Sequence, residues 1–180
     1  NKVHQVDSPN YLFIDLLLKK DKPKKFTIKF NKAKKTVLER DYEIFKRQKV
    51  DEERETLNSS DVIYLITPDR YANGDKNNDE VSSLLEGSDR SNKDGRHGGD
   101  IQGIINNLDY IEHMGFTQIW LNPVLENNQA DYSYHGYSTT DYYKIDPRFG
   151  SNKLYQDLSK EGRNRNIGLI KDLVLNHIGS

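Results

Sequence analysis

Cysteine does not occur among the 180 residues. Its absence excludes disulfide frameworks, thiolate metal centres and cysteine nucleophiles together, and leaves oxygen and imidazole as the donors available to a metal. Long apolar runs are missing too. The best candidate, Tyr11 to Leu18, is interrupted by Asp15 and falls short of the roughly 20 residues that span a bilayer, so no membrane partner is expected. The opening NKVHQVDSPN carries no cationic and apolar leader, which leaves the compartment unread. Apolar residues make up 34% of the chain against 31% charged, a thin core for this length that leans toward an incomplete fold.

Positive and negative charges nearly cancel, at net −1, but their distribution is uneven. Residues 1–57 carry 15 Lys and Arg against 10 Asp and Glu, net +5, whereas residues 58–180 carry 12 against 18, net −6. Two differently composed units are expected. The lysines of the first alternate with β-forming residues, as in KFTIKF, which is the pattern of a solvated sheet face, so no nucleic-acid partner is expected.

Residues 11–18, 26–30 and 36–47 read as strands of a small antiparallel sheet, separated by the turn-prone KKDKPKK and NKAKK. DEERETLNSS, residues 51–60, is polar and aperiodic and reads as a linker. Beyond it the text alternates: strand 62–67, loop 68–100, helix 101–114, strand 116–122, loop 123–150, helix 151–165, strand 167–175. Alternation of this kind predicts an α/β fold with a parallel sheet. The first helix rests on apolar residues at 101, 104, 105, 108, 111 and 114, with Gly115 as its stop. Three strands and two helices leave a sheet face uncovered, and a (β/α)₈ barrel needs about 250 residues. A piece of something larger is the simplest expectation.

Three loops carry candidate chemistry. NGDKNNDE, residues 73–80, offers Asn73, Asp75, Asn78 and Asp79 as hard oxygen donors of the kind calcium takes six to eight of, although a polar turn capping its own backbone explains the same residues. An EF-hand would use Asp75, Asn77, Asp79 and Glu86, but Glu80 stands where its loop needs glycine. RHGGD, residues 96–100, places Asp100 at a helix N-cap after a glycine turn, and it lacks the spacing of a phosphate loop. The segment 130–150 packs five tyrosines and one histidine after a strand, which suits either a packed aromatic loop or a surface for sugar rings. Finally DLVLNH, residues 172–177, reads as a buried strand that ends in Asn176 and His177, with Asp172 in need of a partner.

Taken together, DLVLNH, YLITPDRYANGD, HGGDIQGIINNLDYIEHMGFTQIWLNPV and YHGYSTTDYYKIDPRFG resemble, in that family's order, segments of the α-amylase family of glycoside hydrolases, and most closely its cyclomaltodextrinase, neopullulanase and maltogenic amylase branch. The resemblance implies the first three βα units of a (β/α)₈ barrel over 58–180, preceded over 1–57 by part of an antiparallel β-sandwich. It implies one Ca²⁺ site from Asn73, Asp75, Asn78, Asp79, the Gly98 carbonyl and Asp100. It implies an α-glucan partner, with Tyr137 stacked on the sugar before the scissile bond, His135 at its rim, His177 bonded to one of its hydroxyls and Asp172 braced by a later arginine. Asn176 is taken as structural. The activity implied is retaining hydrolysis of maltodextrins, cyclodextrins or pullulan, with nucleophile and acid/base expected beyond Ser180, so that the 180 residues are inactive alone. A homodimer of the full-length protein and a periplasmic or extracellular setting are further implications. Two other readings stand beside it: a non-catalytic, calcium-stabilised carbohydrate binder, and a sugar-phosphate barrel enzyme of another family.

Overall fold

The computed structural model describes residues 2–5, 7, 12–17, 24–45 and 57–179. The chain divides into two units, Asn1–Thr56 and Leu57–Ser180. Part of the expected linker, 51–56, and the outer ends of two predicted strands, at 11, 18, 46 and 47, lie outside the described residues, as does most of KKDKPKK.

The first unit contains two antiparallel ribbons. Strand β1 (Lys2–Gln5), which sequence patterning did not foresee, pairs with β2 (Leu12–Asp15), and β3 (Lys24–Lys32) pairs with β4 (Lys35–Ile44). Register in the second ribbon follows the two-residue alternation. On one face Lys25 meets Glu43 at 2.9 Å, Thr27 donates to Asp41 at 2.7 Å and Lys29 meets Glu39 at 2.8 Å. On the other face Phe26 packs on Tyr42 with ring centroids 5.4 Å apart. The NKAKK turn closes the hairpin through Ala33 and Lys34, both at positive φ, the geometry that matches strand twist in two-residue loops.

In the second unit β5 (Ile63–Ile66), β6 (Gln118–Leu121) and β9 (Gly168–Lys171) form a parallel sheet in the order β5-β6-β9. The expected α/β alternation is present. Tyr64, Ile66, Ile119 and Leu121 point to one face and join Ile101, Ile104, Leu108, Ile111, Leu158 and Ile167 in the core. Burying each such aliphatic side chain contributes roughly 1.5–3 kcal/mol. Ile63, Leu65 and Trp120 point the other way and stay exposed, as expected for a sheet covered on one face.

The predicted helix over 101–114 is two helices, α1 (Ile101–Asn106) and α2 (Leu108–His113). The break falls at Asn107, whose side-chain amide donates to the Gly103 carbonyl at 2.7 Å and competes with the regular ladder. Gly115 ends the pair at φ +83°, while Met114, counted in the apolar stripe, is exposed. Helix α3 (Asn152–Arg163) starts where Ser151 accepts the Leu154 N–H at 3.1 Å. The predicted strand 167–175 stops at Lys171. Leu173 and Leu175 are 46% and 78% exposed, because β9 pairs with β6 alone and no described strand supports it on its other side. Within the loop 123–150, β7 (Leu125–Glu126) and β8 (Asp141–Ile145) form an unforeseen antiparallel ribbon.

Candidate functional site

Because β5, β6 and β9 run parallel in register, the segments that follow them, 67–100, 122–150 and 172–179, leave the sheet at the same, C-terminal end of its strands. The candidate residues lie on these three segments.

The first segment gathers the proposed metal donors. Asp100 caps α1 by accepting Gly103 N–H at 2.6 Å, and the same carboxylate accepts Gly74 N–H at 3.0 Å, Asp75 N–H at 2.8 Å and the Asn78 amide at 3.2 Å. Asn73 donates its amide to both Asp79 oxygens at 2.7 and 3.0 Å. Gly98 sits against this pair at φ +83°, where a Cβ would come within 2.6 Å of Asp79 Oδ1. Asp75 turns one oxygen onto Asn77, accepting its N–H at 3.0 Å. Glu86, the last position of the rejected EF-hand, points elsewhere and accepts Ser133 N–H at 2.7 Å.

Two buried amide oxygens of this cluster, Asn73 Oδ1 and Asn78 Oδ1, have no hydrogen-bond partner. An unmatched buried carbonyl costs about 1–3 kcal/mol unless something positive meets it. No group of three or more His, Asp or Glu side chains converges among the described residues, so the donor set is mixed amide, carboxylate and carbonyl oxygen. Such a set fits a hard cation like calcium and fits zinc or copper poorly.

The second and third segments meet around Asp172. Its Oδ2 accepts the Tyr137 hydroxyl at 3.1 Å and the Trp120 indole N–H at 3.3 Å. The arginine expected for this carboxylate belongs to a later strand outside these residues; within them it has two neutral donors, from β6 and from the tyrosine-rich loop. Burial, with Asp172 as hydrogen-bond partner, raises the Tyr137 hydroxyl above the ordinary tyrosine range. His177 Nε2 lies 2.7 Å from the Tyr137 carbonyl, which can only accept, so Nε2 carries the proton and Nδ1 accepts the Asn176 amide at 3.1 Å. The Tyr142 hydroxyl is 2.6 Å from both the Val174 and His177 carbonyls and fixes the backbone of 174–177. His135 lies at the end of a short 3-10 turn, its ring parallel to that of Tyr132 at 6.3 Å and tilted by 49° against that of Tyr134 at 4.4 Å. Tyr137 keeps 41% of its surface exposed.

Gly136 makes the placement of Tyr137 possible. It adopts φ +79°, and a Cβ there would overlap the Pro123 carbonyl.

Beneath the exposed residues lies a charged layer that the sequence reading missed. Arg148 is fully buried and donates to Asp146 at 2.9 and 2.8 Å, to the Glu86 carbonyl at 2.7 Å and to the Asn127 carbonyl at 2.7 Å. Burial opposes the Asp146 charge, but the Arg148 hydrogen bonds and the nearby Arg96 outweigh it and hold this carboxyl below the ordinary aspartate value. Arg96 donates to Ser133 Oγ at 3.1 Å and lies 4.6 Å over the Phe149 ring. Asp69 accepts from Arg70 and from the His97 and Gly98 N–H groups, and Arg70 covers the Tyr134 ring at 3.8 Å. A hint was available: arginines set among glycines and aromatics in loops this polar, with an Asp two residues from Arg148, suit buried pairs better than solvated charge.

The chain matches the profile of the alpha amylase catalytic domain over residues 65–180 and that of the cyclomaltodextrinase N-terminal domain over 1–48. It is 45% identical over 123 residues to a beta/alpha-amylase of Paenibacillus polymyxa, covering 67% of this chain and 10% of that protein. To neopullulanase 2 of Thermoactinomyces vulgaris it is 40% identical, over 66% of this chain and 20% of the relative. An intracellular maltogenic amylase of Bacillus subtilis is 39% identical over 67% of this chain and 20% of its own length. That name gives no support to the periplasmic or extracellular setting. Among solved structures, an Anoxybacillus alpha-amylase superposes with a TM-score of 0.60 at 42% identity, over 66% of this chain and 25% of that one. This chain thus spans between a tenth and a fifth of the length of these curated relatives. No helix among the described residues is long and apolar enough to cross a membrane. With a catalytic-domain match over well more than half its residues, the chain belongs to the alpha-amylase family of glycoside hydrolases, in the branch of the cyclomaltodextrinases, neopullulanases and maltogenic amylases.

Proposed function

We propose that this chain forms one wall of an α-glucan site in a retaining hydrolase of maltodextrins, cyclodextrins or pullulan. The observation that carries the reading is the meeting of Tyr137, Trp120 and Asp172 at the C-terminal ends of three parallel strands, the face on which barrel enzymes build their sites. By this reading 58–180 supplies the first three βα units of a (β/α)₈ barrel, and 1–57 the end of a β-sandwich.

A glucose ring presents an apolar face and a hydroxyl rim. The half-exposed Tyr137 ring offers a flat surface to the face, with its hydroxyl fixed by Asp172 so that the ring is already oriented. His135 meets the rim. His177 reaches a hydroxyl of the same sugar by exchanging its bond to the Tyr137 carbonyl for one to the ligand. Asp172 braces these groups through its bonds from Tyr137 and Trp120.

Retaining hydrolysis needs two carboxyl groups about 5–5.5 Å apart, one attacking the anomeric carbon and one protonating the leaving oxygen. We place both in the larger part of the relatives' length that this chain does not span, and the 180 residues alone bind sugar without cleaving it. Calcium, held by Asn73, Asp75, Asn78, Asp79, the Gly98 carbonyl and Asp100, would tie the first loop to the start of α1. Bound there, it would neutralise charge among these oxygens.

Calorimetric titration with maltotriose of this chain and of Tyr137→Ala tests the reading. Weak binding that the substitution abolishes is expected. Unchanged affinity in the variant would remove Tyr137 from the site, and tight binding by the wild-type chain favours a dedicated carbohydrate binder.

A further inference from the structure

We propose that Asn73 is a deamidation site whose reaction the folded loop holds back. Asn73-Gly74 is the sole Asn-Gly pair in the sequence. Glycine has no Cβ to shield its backbone nitrogen, so the deprotonated Gly74 nitrogen can attack Asn73 Cγ. A C–N bond forms, the Cγ–Nδ2 bond breaks, and ammonia leaves carrying the transferred proton. Water, the other reactant, then opens the five-membered imide to aspartate or isoaspartate.

Each participant is restrained. The Gly74 N–H donates to Asp100 Oδ1 at 3.0 Å, a bond that must break before this nitrogen can turn on Asn73 Cγ. The leaving nitrogen, Asn73 Nδ2, is held by both Asp79 oxygens at 2.7 and 3.0 Å. Gly74 is wedged against α1: a Cβ there would overlap Gly103 N and come within 2.9 Å of Gln102 Cβ. Attack therefore requires the loop to leave Asp100 and α1 together, a local opening rather than a side-chain rotation.

The product cannot return to this geometry. Isoaspartate inserts a methylene into backbone that has no spare room, and aspartate adds a charge beside Asp79 and near Asp100. A transient loosening becomes a permanent one. Ca²⁺ on the unpartnered Asn73 Oδ1 would add a further restraint, and that part alone rests on the proposed calcium site.

The 180-residue chain is incubated in mildly alkaline buffer with Ca²⁺, with a chelator, and in urea, and conversion at Asn73 is followed by peptide mapping that resolves isoaspartate. Conversion in the folded, Ca²⁺-containing sample is expected to be about tenfold or more slower than in urea, the factor that follows from reaction through a minor open state. Asp100→Asn, folded by circular dichroism, speeds conversion several-fold relative to exposed Asn58. Should that variant not fold, slow hydrogen exchange at the Gly74 amide of the wild-type chain carries the same expectation. Equal conversion in native buffer and in urea, or rapid exchange at Gly74, overturns the proposal. Equal conversion with Ca²⁺ and with chelator, both slower than in urea, upholds the hydrogen-bond restraint and counts against the calcium site instead.

Discussion

Replacing Asp146 by alanine removes the acceptor for two side-chain bonds from Arg148, at 2.9 and 2.8 Å, and for the backbone N–H groups of Asn127 and Arg148, at 3.1 and 3.0 Å. Arg148 then keeps two carbonyls, Glu86 O and Asn127 O, and loses its counter-charge while fully buried. Breaking a buried pair from one side costs about 3–5 kcal/mol, and each of the two orphaned backbone N–H groups adds about 1–3 kcal/mol, not strictly additively. A loss of at least about 3 kcal/mol is expected. With a urea slope of about 1–3 kcal/mol per molar, the midpoint falls by about 1 M or more. The assay is urea unfolding followed by the emission of Trp120, the single tryptophan, which lies in the same unit. Pairing Asp146→Leu with Arg148→Met should restore much of the loss, since no lone charge then remains buried. A midpoint shift below about 0.3 M for Asp146→Ala, or a double variant as unstable as the two single changes combined, would refute the reasoning.

The same carboxyl sets an acid limit: its folded value lies below the ordinary 3.8, so its contribution is complete above that value and is lost as pH falls through the lower folded value. Asp146→Asn should flatten the fall in melting temperature below about pH 4, and an unchanged acid limb would exclude Asp146 as its source. Gly136→Ala forces a Cβ toward the Pro123 carbonyl at positive φ and should cost about 1–3 kcal/mol and maltotriose binding together; unaltered binding would show that the turn does not place Tyr137. Ca²⁺ at 100 times its dissociation constant should stabilise the chain by about 2.7 kcal/mol, read as a melting-temperature rise reversed by chelator and lost in Asn73→Ala; no rise would empty the proposed site of meaning. Asp172→Ala releases both the Trp120 indole and the Tyr137 hydroxyl and should alter Trp120 emission while weakening maltotriose binding; an emission spectrum like that of the wild-type chain contradicts the hydrogen bond.

What the sequence disclosed follows from where its signals are local. The apolar runs over 62–67 and 116–122, the stripe from Ile101 to Ile111 and the glycine at 115 depend on neighbours within a turn or two, and the strands appear with ends displaced by a residue or two while the helix is interrupted only at Asn107. DLVLNH misled at its centre, since Leu173-Val174-Leu175 has the composition of a buried strand and no described strand on its outer side to bury it. The oxygen-rich 73–79 and Asp100 stood out by composition, and the structure brings them within hydrogen-bonding range of one another. Pairings across long stretches were hidden: Asp172 finds donors 35 and 52 residues away, and Arg148 reaches Glu86 across 62. No local pattern encodes such a distance. Arg96 was read for the glycines behind it, and its burial against Ser133 and Phe149 had no signature in RHGGD alone.

The first two loops share their foundations. Arg148 grips the Glu86 carbonyl, Glu86 holds Ser133, Arg96 reaches Ser133 from below, and Leu85 N–H donates to Asn128 Oδ1 at 2.8 Å. Neither loop is therefore a separable cassette. An engineer who transplants 123–150 from a relative to probe the proposed sugar site must carry 85–96 with it, and chimaeras that exchange one without the other should lose solubility first. Natural variation faces the same coupling, so substitutions at 86, 96, 133 and 148 should be inherited as a set while the tyrosines above them change one at a time.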